Sequence, residues 1–240
     1  MKSLRSLLRF ALVVGLLPFV TAAEKKTPAK KAPDPAYAQI TDVAGLPRVL
    51  LLGDSISIGY TLATRARLAG KANVHRPAEN CSDSGTGVRT IDKWLGAGKW
   101  DVIHFNFGLH DVKYLDATGK YVPPDQGKQV SSVADYEKNL RALVARLQQT
   151  GAKLIFATTT QVPAGSAGRV EHDEIRYNAA AIRVMKENGV AVDDLHRFVA
   201  ARQDKIQLPK NVHFTKDGYE QLADTVVASI GLLLPAAKAK

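Results

Sequence analysis

The chain has 240 residues, 45% of them hydrophobic, one cysteine and a formal net charge of +10. That length suits a single α/β domain with a full core, and a lone cysteine excludes an intramolecular disulfide framework. The charge does not mark a nucleic-acid binder: Lys2, Arg5 and Arg9 carry three of the ten, residues 24–34 a net two, and Lys238 and Lys240 two more, which leaves +3 for the folded part and is too little for a phosphate-binding face.

Residues 1–23 read as a secretory signal peptide: a basic start, an apolar middle from Phe10 to Val20, and the small residues Thr21-Ala22-Ala23 at the expected cut. The uncharged run from Phe10 to Ala23 is 14 residues, short of the roughly 20 that span a bilayer. No cysteine lies near the cut to carry a lipid. The expectation is an exported protein, periplasmic or extracellular, without stable membrane insertion. Residues 24–44 are rich in Lys, Ala and Pro and are expected to form a disordered tether. Residues 45–235 form the folded domain, and residues 236–240 a basic tail.

The first core element is Val49-Leu50-Leu51-Leu52, an apolar run closed by Gly53. It reads as a strand buried on both faces, as in parallel sheets. Asp54 and Ser55 follow, then a helix-like segment. A hydroxyl in that turn sits at the carboxyl end of a parallel strand, where open α/β sheets place ligands. Ser55 is therefore a candidate nucleophile. The competing reading is that Asp54 and Ser55 only cap the helix.

Further strands are expected at 73–76, 102–107, 153–158 and 190–193, alternating with helices, among them 132–149 and 216–233. In the first of these two helices Tyr136, Leu140, Leu143, Val144 and Leu147 recur at helical spacing. In the second Tyr219, Leu222, Ala223, Val226 and Ile230 do so, with Thr215 as N-cap. Leu115 to Val130 reads as one long loop. The order implies a flavodoxin-like three-layer α/β/α sandwich around a five-stranded parallel sheet. Gly53 to Gly59 matches neither a dinucleotide fingerprint nor a P-loop. It also lacks the glycine two residues after the serine that a nucleophile elbow needs.

Acyl transfer to a serine requires a nucleophile, a base within hydrogen-bond reach, and donors for the developing oxyanion. Three stretches at strand ends can supply them: Asn80-Cys81-Ser82-Asp83-Ser84-Gly85-Thr86-Gly87, Phe107-Gly108-Leu109-His110-Asp111 and Asn211-Val212-His213-Phe214. In a doubly wound sheet all three share the carboxyl rim with Ser55.

With these blocks in this order, the chain resembles the SGNH hydrolases, the GDSL esterase/lipase superfamily, over about 185 residues. The resemblance makes Ser55 the nucleophile and His213 the base. It gives the backbone of Gly85, with Gly87 as fallback, a place among the oxyanion donors beside the Ser55 N–H. His110 stands where the family has an asparagine whose amide completes that set. A neutral imidazole can still donate one N–H; structural, positioning and base roles for His110 also stay open. The family's aspartate three residues before the histidine is Lys210 here, which cannot accept the imidazole N–H. A backbone carbonyl, Asn211, Asp193 or Asp194 would have to orient His213, while Asp111 is expected to tie down its own loop and Asp54 its turn.

The remaining titratable residues have structural explanations. His104 is expected as a buried, hydrogen-bonded strand residue, His172 beside a helix start, and His196 at the surface. Cys81 is expected as a small loop residue, and Trp94 and Trp100 as packing groups. The implied activity is a serine esterase acting on small acyl esters, acetyl on carbohydrate first, with no metal or organic cofactor and a small-molecule or polysaccharide ester as partner. A lipid ester hydrolase, a non-catalytic carbohydrate-binding protein and an acyltransferase are the alternatives. Oligomeric state is not legible in the sequence.

Overall fold

In the computed structural model, residues 34–235 are described; the expected signal peptide, residues 24–33 of the expected tether and the basic tail lie outside them. Strand β1 (Arg48–Leu52) leads through a turn at Gly53 and Asp54 into α1 (Ser55–Arg67). Then follow β2 (Asn73–His75), α2 (Ser84–Leu95) and β3 (Val102–Phe105). A short antiparallel pair, β4 (Tyr114–Leu115) and β5 (Lys128–Gln129), precedes α3 (Val133–Gln148) and β6 (Lys153–Ala157). The chain closes with α4 (Glu174–Glu187), β7 (Ala191–Asp193), the short α5 (Leu195–Ala200) and α6 (Gln203–Ile206), and α7 (Lys216–Leu233).

The five expected core strands form one sheet in the order β2-β1-β3-β6-β7, parallel at every pairing. The order runs outward in both directions from β1, so a crevice opens at the carboxyl ends of β1 and β3. The residues explain the layering. Val49 to Leu52 and Val102 to Phe105 are buried throughout, as strands covered on both faces must be, whereas edge strand β7 exposes Val192. Helix α1 packs against α7, and α3 lies between α2 and α4. Gly59 lets α1 and α7 approach closely, since a Cβ there would meet the Tyr219 ring at 2.1 Å. Arg67, on the same helix, pairs with Glu220 and Asp224 of α7.

Two expectations change. The stretch from Leu115 to Val130 is not one structureless loop: its ends pair as β4 and β5, and Leu115 bridges Tyr121. Residues 34–44, assigned to the tether by composition, are docked. Ala36 is buried, its carbonyl accepts from Arg65 Nη1 at 3.1 Å, and Asn73 Oδ1 receives the Val43 N–H at 2.8 Å. Asp42 pairs with Arg48 and His75. Lys/Pro composition reports a scarcity of apolar side chains, but these contacts are made mostly by the backbone and one acid.

Candidate active site

At the end of β1, Gly53 is required because an added Cβ would lie 2.7 Å from Ser57 Cβ. The buried Asp54 is the N-cap of α1, its Oδ1 accepting the Ile56 N–H at 2.9 Å. Capping thus belongs to Asp54 and leaves Ser55 as the first residue of the helix with its hydroxyl directed elsewhere. Ser55 Oγ lies 2.8 Å from His213 Nε2. At this position its backbone N–H has no intrahelical carbonyl to meet and sits at the positive end of the helix dipole.

His213 arrives on the loop between α6 and α7. That loop is pinned by the Leu208 N–H bond to the His213 carbonyl at 2.9 Å, by the Gln207–Phe214 bridge and by Thr215 capping α7. Asn211 folds back so that its Oδ1 lies 3.1 Å from the His213 backbone N and 2.8 Å from His213 Nδ1. A backbone N–H can only donate, so the amide atom must be the oxygen, and the ring proton therefore sits on Nδ1. Nε2 is left with its lone pair towards the Ser55 hydroxyl, the protonation pattern of a general base. Burial holds the His213 pKa below its usual 6.5 against the opposing pull of Asp54, and Arg169 and Lys113 add to the lowering.

His110 lies beyond β3 in a loop anchored by Tyr136 Oη and Thr159 Oγ1, which both donate to the Phe107 carbonyl, at 2.7 and 3.1 Å. Gly108 is demanded by the close approach of Thr159 Oγ1, 2.0 Å from a would-be Cβ. His110 Nδ1 is met by Lys113 Nζ at 2.8 Å and Ser82 Oγ at 3.2 Å. An ammonium can only donate, so Nδ1 accepts and the ring proton resides on Nε2. Burial, with Lys113 and Arg169 nearby, pulls the His110 pKa down to about 4 despite Asp54, which keeps the ring neutral at neutral pH.

Ser55, His110, Asn211 and His213 line one cleft of about 190 Å³, together with Lys113, Tyr121, Arg169 and Lys210. Such an arrangement can deprotonate a serine hydroxyl and offer N–H donors beside it. The other expected residues lie outside this cleft. Gly85 is the second residue of α2, where a Cβ would meet Asp83 Oδ1, Arg89 and Asn139. Asp111 is fully buried and receives the Ser84 backbone N–H and hydroxyl, joining the β3 loop to the start of α2; burial pushes its carboxyl up to about 6. Asp193 and Asp194 do not serve His213. Asp193 Oδ2 pairs with the buried His104 at 3.1 Å, and Asp194 caps α5 and accepts from Thr158. Lys210 takes a left-handed conformation, φ 55°, and turns the chain so that Asn211 can reach the ring.

The sequence carried no mark for Arg169 or Tyr121, which reach the cleft from loops distant along the chain, and Lys113 was hidden in the approach to β4. Cys81 is buried and its thiol is pushed up to about 12, chiefly by burial, so it is no nucleophile at neutral pH. Trp94 and Trp100 are buried and hydrogen-bonded to Glu79 and to the Leu95 carbonyl. His196 is half-buried against Glu174. A larger cavity, about 490 Å³ and lined by Arg48, His75, Trp94 and Trp100, contains neither Ser55 nor His213; its size is not a reason to place chemistry there. Among the described residues no group of His, Cys, Asp and Glu is placed to hold a metal ion.

The sequence model of the GDSL-like lipase/acylhydrolase family matches residues 51–221. No significant match was found among curated proteins. The structure is similar to that of a lipase/acylhydrolase from Enterococcus faecalis, with TM-score 0.64 and 20% identity over 81% of this chain and 100% of that one. It is also similar to the acetyl xylan esterase AlAXEase (TM-score 0.62, 16% identity, 76% of this chain and 99% of that one). A third likeness is to Axe2, an acetylxylan esterase from Geobacillus stearothermophilus (TM-score 0.60, 17% identity, 77% and 94%). At these identities the likeness concerns the α/β fold.

Proposed function

The chain belongs to the GDSL-like lipase/acylhydrolase family and is a carboxylic ester hydrolase; from that premise we propose that it removes small acyl groups, acetyl first, from carbohydrate through a Ser55 acyl-enzyme. Ser55 Oγ attacks the ester carbonyl while His213 Nε2 takes its proton. The tetrahedral oxyanion accepts from the Ser55 backbone N–H and from His110 Nε2–H. His213 then protonates the leaving alcohol, the carbonyl re-forms as the C–O bond to that alcohol breaks, and water activated by the same imidazole releases the acid.

One observation carries this reading: the 2.8 Å contact of Ser55 Oγ with an imidazole whose proton Asn211 fixes on the far nitrogen. A small acyl group is supported by a cleft of about 190 Å³ in which Leu109, Val212 and Ala167 are the aliphatic lining residues beside many polar ones. A long acyl chain needs an extended apolar wall. Carbohydrate is favoured over lipid by that polar lining, and two of the similar structures are acetylxylan esterases. The leader-like sequence of residues 1–23 supports export.

The test is intact-mass analysis after fluorophosphonate treatment of the wild type, Ser55→Ala and His213→Ala, followed by acetylated sugars set against lipid esters. One adduct at Ser55, absent in Ser55→Ala and strongly slowed in His213→Ala, is expected, with turnover of acetylated sugars. A folded wild type that takes no adduct while a control hydrolase labels normally overturns the serine mechanism. Saccharide binding without labelling would identify a non-catalytic binder, and acetyl transfer to an added sugar would identify an acyltransferase.

A further inference from the structure

The cleft around Ser55 holds more positive charge than ester hydrolysis requires. Lys113, Arg169 and Lys210 line it, and Asp54 is the sole acid among the lining residues. Elsewhere on this protein several cations meet carboxylates, Arg67 with Glu220 and Asp224, Arg146 with Asp92 and Arg183 with Glu137, while the buried Arg76 is satisfied by hydroxyl and carbonyl oxygens of Ser57, Thr61, Gly53 and Glu79. Among the described residues none of the three cleft cations forms such a pair.

Two of them are also withdrawn from water. Lys113 is 7% exposed, and Arg169 is half-buried. Lys113 Nζ lies 5.0 Å from the centre of the Tyr121 ring and the Arg169 guanidinium 5.7 Å from the same ring, so two like charges are held beside one aromatic side chain. Burial lowers the pKa of each, and each lowers that of its neighbours His110 and His213. Withdrawn cations without a counter-charge are costly unless something anionic joins them. Arg169 also has donors to spare. Its Nε is bonded to the Leu109 carbonyl at 2.9 Å and its Nη1 to the Ala167 carbonyl at 3.1 Å, which fixes the guanidinium, while Nη2 meets no carboxylate or carbonyl among the described residues. A guanidinium fixed in this way is suited to a planar or tetrahedral oxyanion.

We infer that the substrate of this hydrolase is an acyl ester on an anionic carbohydrate, and that Arg169, flanked by Lys113 and Lys210, receives a carboxylate or sulfate of the substrate beside the scissile ester. This rests on the carbohydrate-ester reading above and narrows it. The same cations could instead act only on the tetrahedral intermediate, and the two roles separate experimentally. A subsite for substrate charge discriminates between esters, whereas stabilisation of the intermediate serves all esters alike.

The experiment compares kcat/KM for three matched substrates: acetylated methyl glucoside, acetylated methyl glucuronoside, and acetylated methyl glucoside carrying a 6-sulfate. The wild type is expected to favour at least one anionic ester over the neutral one by about tenfold or more, mainly through KM, and the preference should shrink with added salt. Which anionic ester is favoured identifies carboxylate or sulfate. In Arg169→Gln the preference should collapse towards unity, Arg169→Lys should retain part of it, and the exposed Lys210→Gln should reduce it two- to threefold without risk to the core.

Equal kcat/KM on all three substrates in the wild type, or a loss in Arg169→Gln that is the same for neutral and anionic esters, overturns the proposal. Equilibrium binding of methyl glucuronoside and of the 6-sulfated glucoside to Ser55→Ala, each against methyl glucoside, reads the subsite without turnover. If no ester is hydrolysed and no fluorophosphonate adduct forms, the esterase mechanism has failed, and this binding comparison still decides on the anion subsite.

Discussion

Asn211 Oδ1 receives both N–H groups of His213, the backbone one and Nδ1–H, so one amide oxygen sets the position and the tautomer of the imidazole. In the proposed mechanism the amide holds the ring without a negative charge to stabilise the imidazolium formed on deprotonation of Ser55. Asn211→Ala is expected to lower kcat by tens- to hundredfold with little change in KM. Asn211→Asp places an anion against Nδ1 and should raise the imidazole pKa by one unit or more. In the wild type burial keeps that pKa below 6.5. Activity should therefore rise with pH along a limb centred below 6.5, and Asn211→Asp should move the limb upward. A pH profile of kcat/KM for the three proteins reads the shift, and coincident profiles for wild type and Asn211→Asp would refute this role.

His110 is expected to act as an N–H donor through Nε2. His110→Ala should reduce kcat by about 10²–10³, the cost of one lost oxyanion donor, whereas His110→Asn, which still carries an amide donor, should stay within about tenfold of wild type. Lys113→Met removes the ammonium that keeps Nδ1 an acceptor and should lower kcat on a neutral ester by severalfold. Steady-state kinetics on a neutral acetyl ester measure all three, and equal losses for Ala and Asn would exclude the donor role.

The depressed histidine pKa values also make stability depend on pH. His110, His75 and His213 stay neutral in the folded protein at pH values where the unfolded chain has protonated them. Their contribution is present above about 6.5 and is lost as pH falls, at about 1.4 kcal/mol per unit for each group inside its window. Asp111 works in the opposite sense: with its folded pKa raised to about 6, its contribution is present below about 4 and is lost as pH rises through 6. Three groups outweigh one, so unfolding free energy should fall from pH 6.5 towards 4. His110→Asn should make that fall shallower, as followed by urea denaturation across the range.

Gly59→Ala adds a methyl group where the Tyr219 ring already sits, 2.1 Å from the new Cβ. Overpacking of this kind costs about 1–3 kcal/mol, offset in part by the better helix propensity of alanine. A Tm lower by roughly 5 °C is expected, with recovery on adding Tyr219→Ala. Thermal unfolding of the single and double variants provides the check.

The positions of the five core strands, the two long helices and the placing of Ser55 and His213 on one rim were legible because each rests on local pattern. Apolar runs closed by glycine mark parallel strands, and polar blocks just past strand ends must share one rim. Asn211 was legible only as one acceptor among several. Choosing it over Asp193 depends on the left-handed turn at Lys210 and on the buried His104 that engages Asp193, neither of which spacing reveals. Arg169 left no trace because its place in the cleft is settled by carbonyls of Leu109 and Ala167 on separate loops. The docking of residues 34–44 was missed for a related reason: backbone groups make many of its contacts, and composition does not report them.

The serine and the histidine stand 158 positions apart in the chain, and the fit of α1 to α7 at Gly59 and Tyr219, clasped by Arg67, helps bring them together. A growing polypeptide has exposed Ser55 long before residue 213, let alone the helix that holds it, has left the ribosome. Until α7 docks, Ser55 stands at the head of α1 without its imidazole partner. Assembly of the Ser55–His213 pair thus waits for the docking of α7, and under the proposed mechanism a chain cut short before that helix would carry the serine without its base.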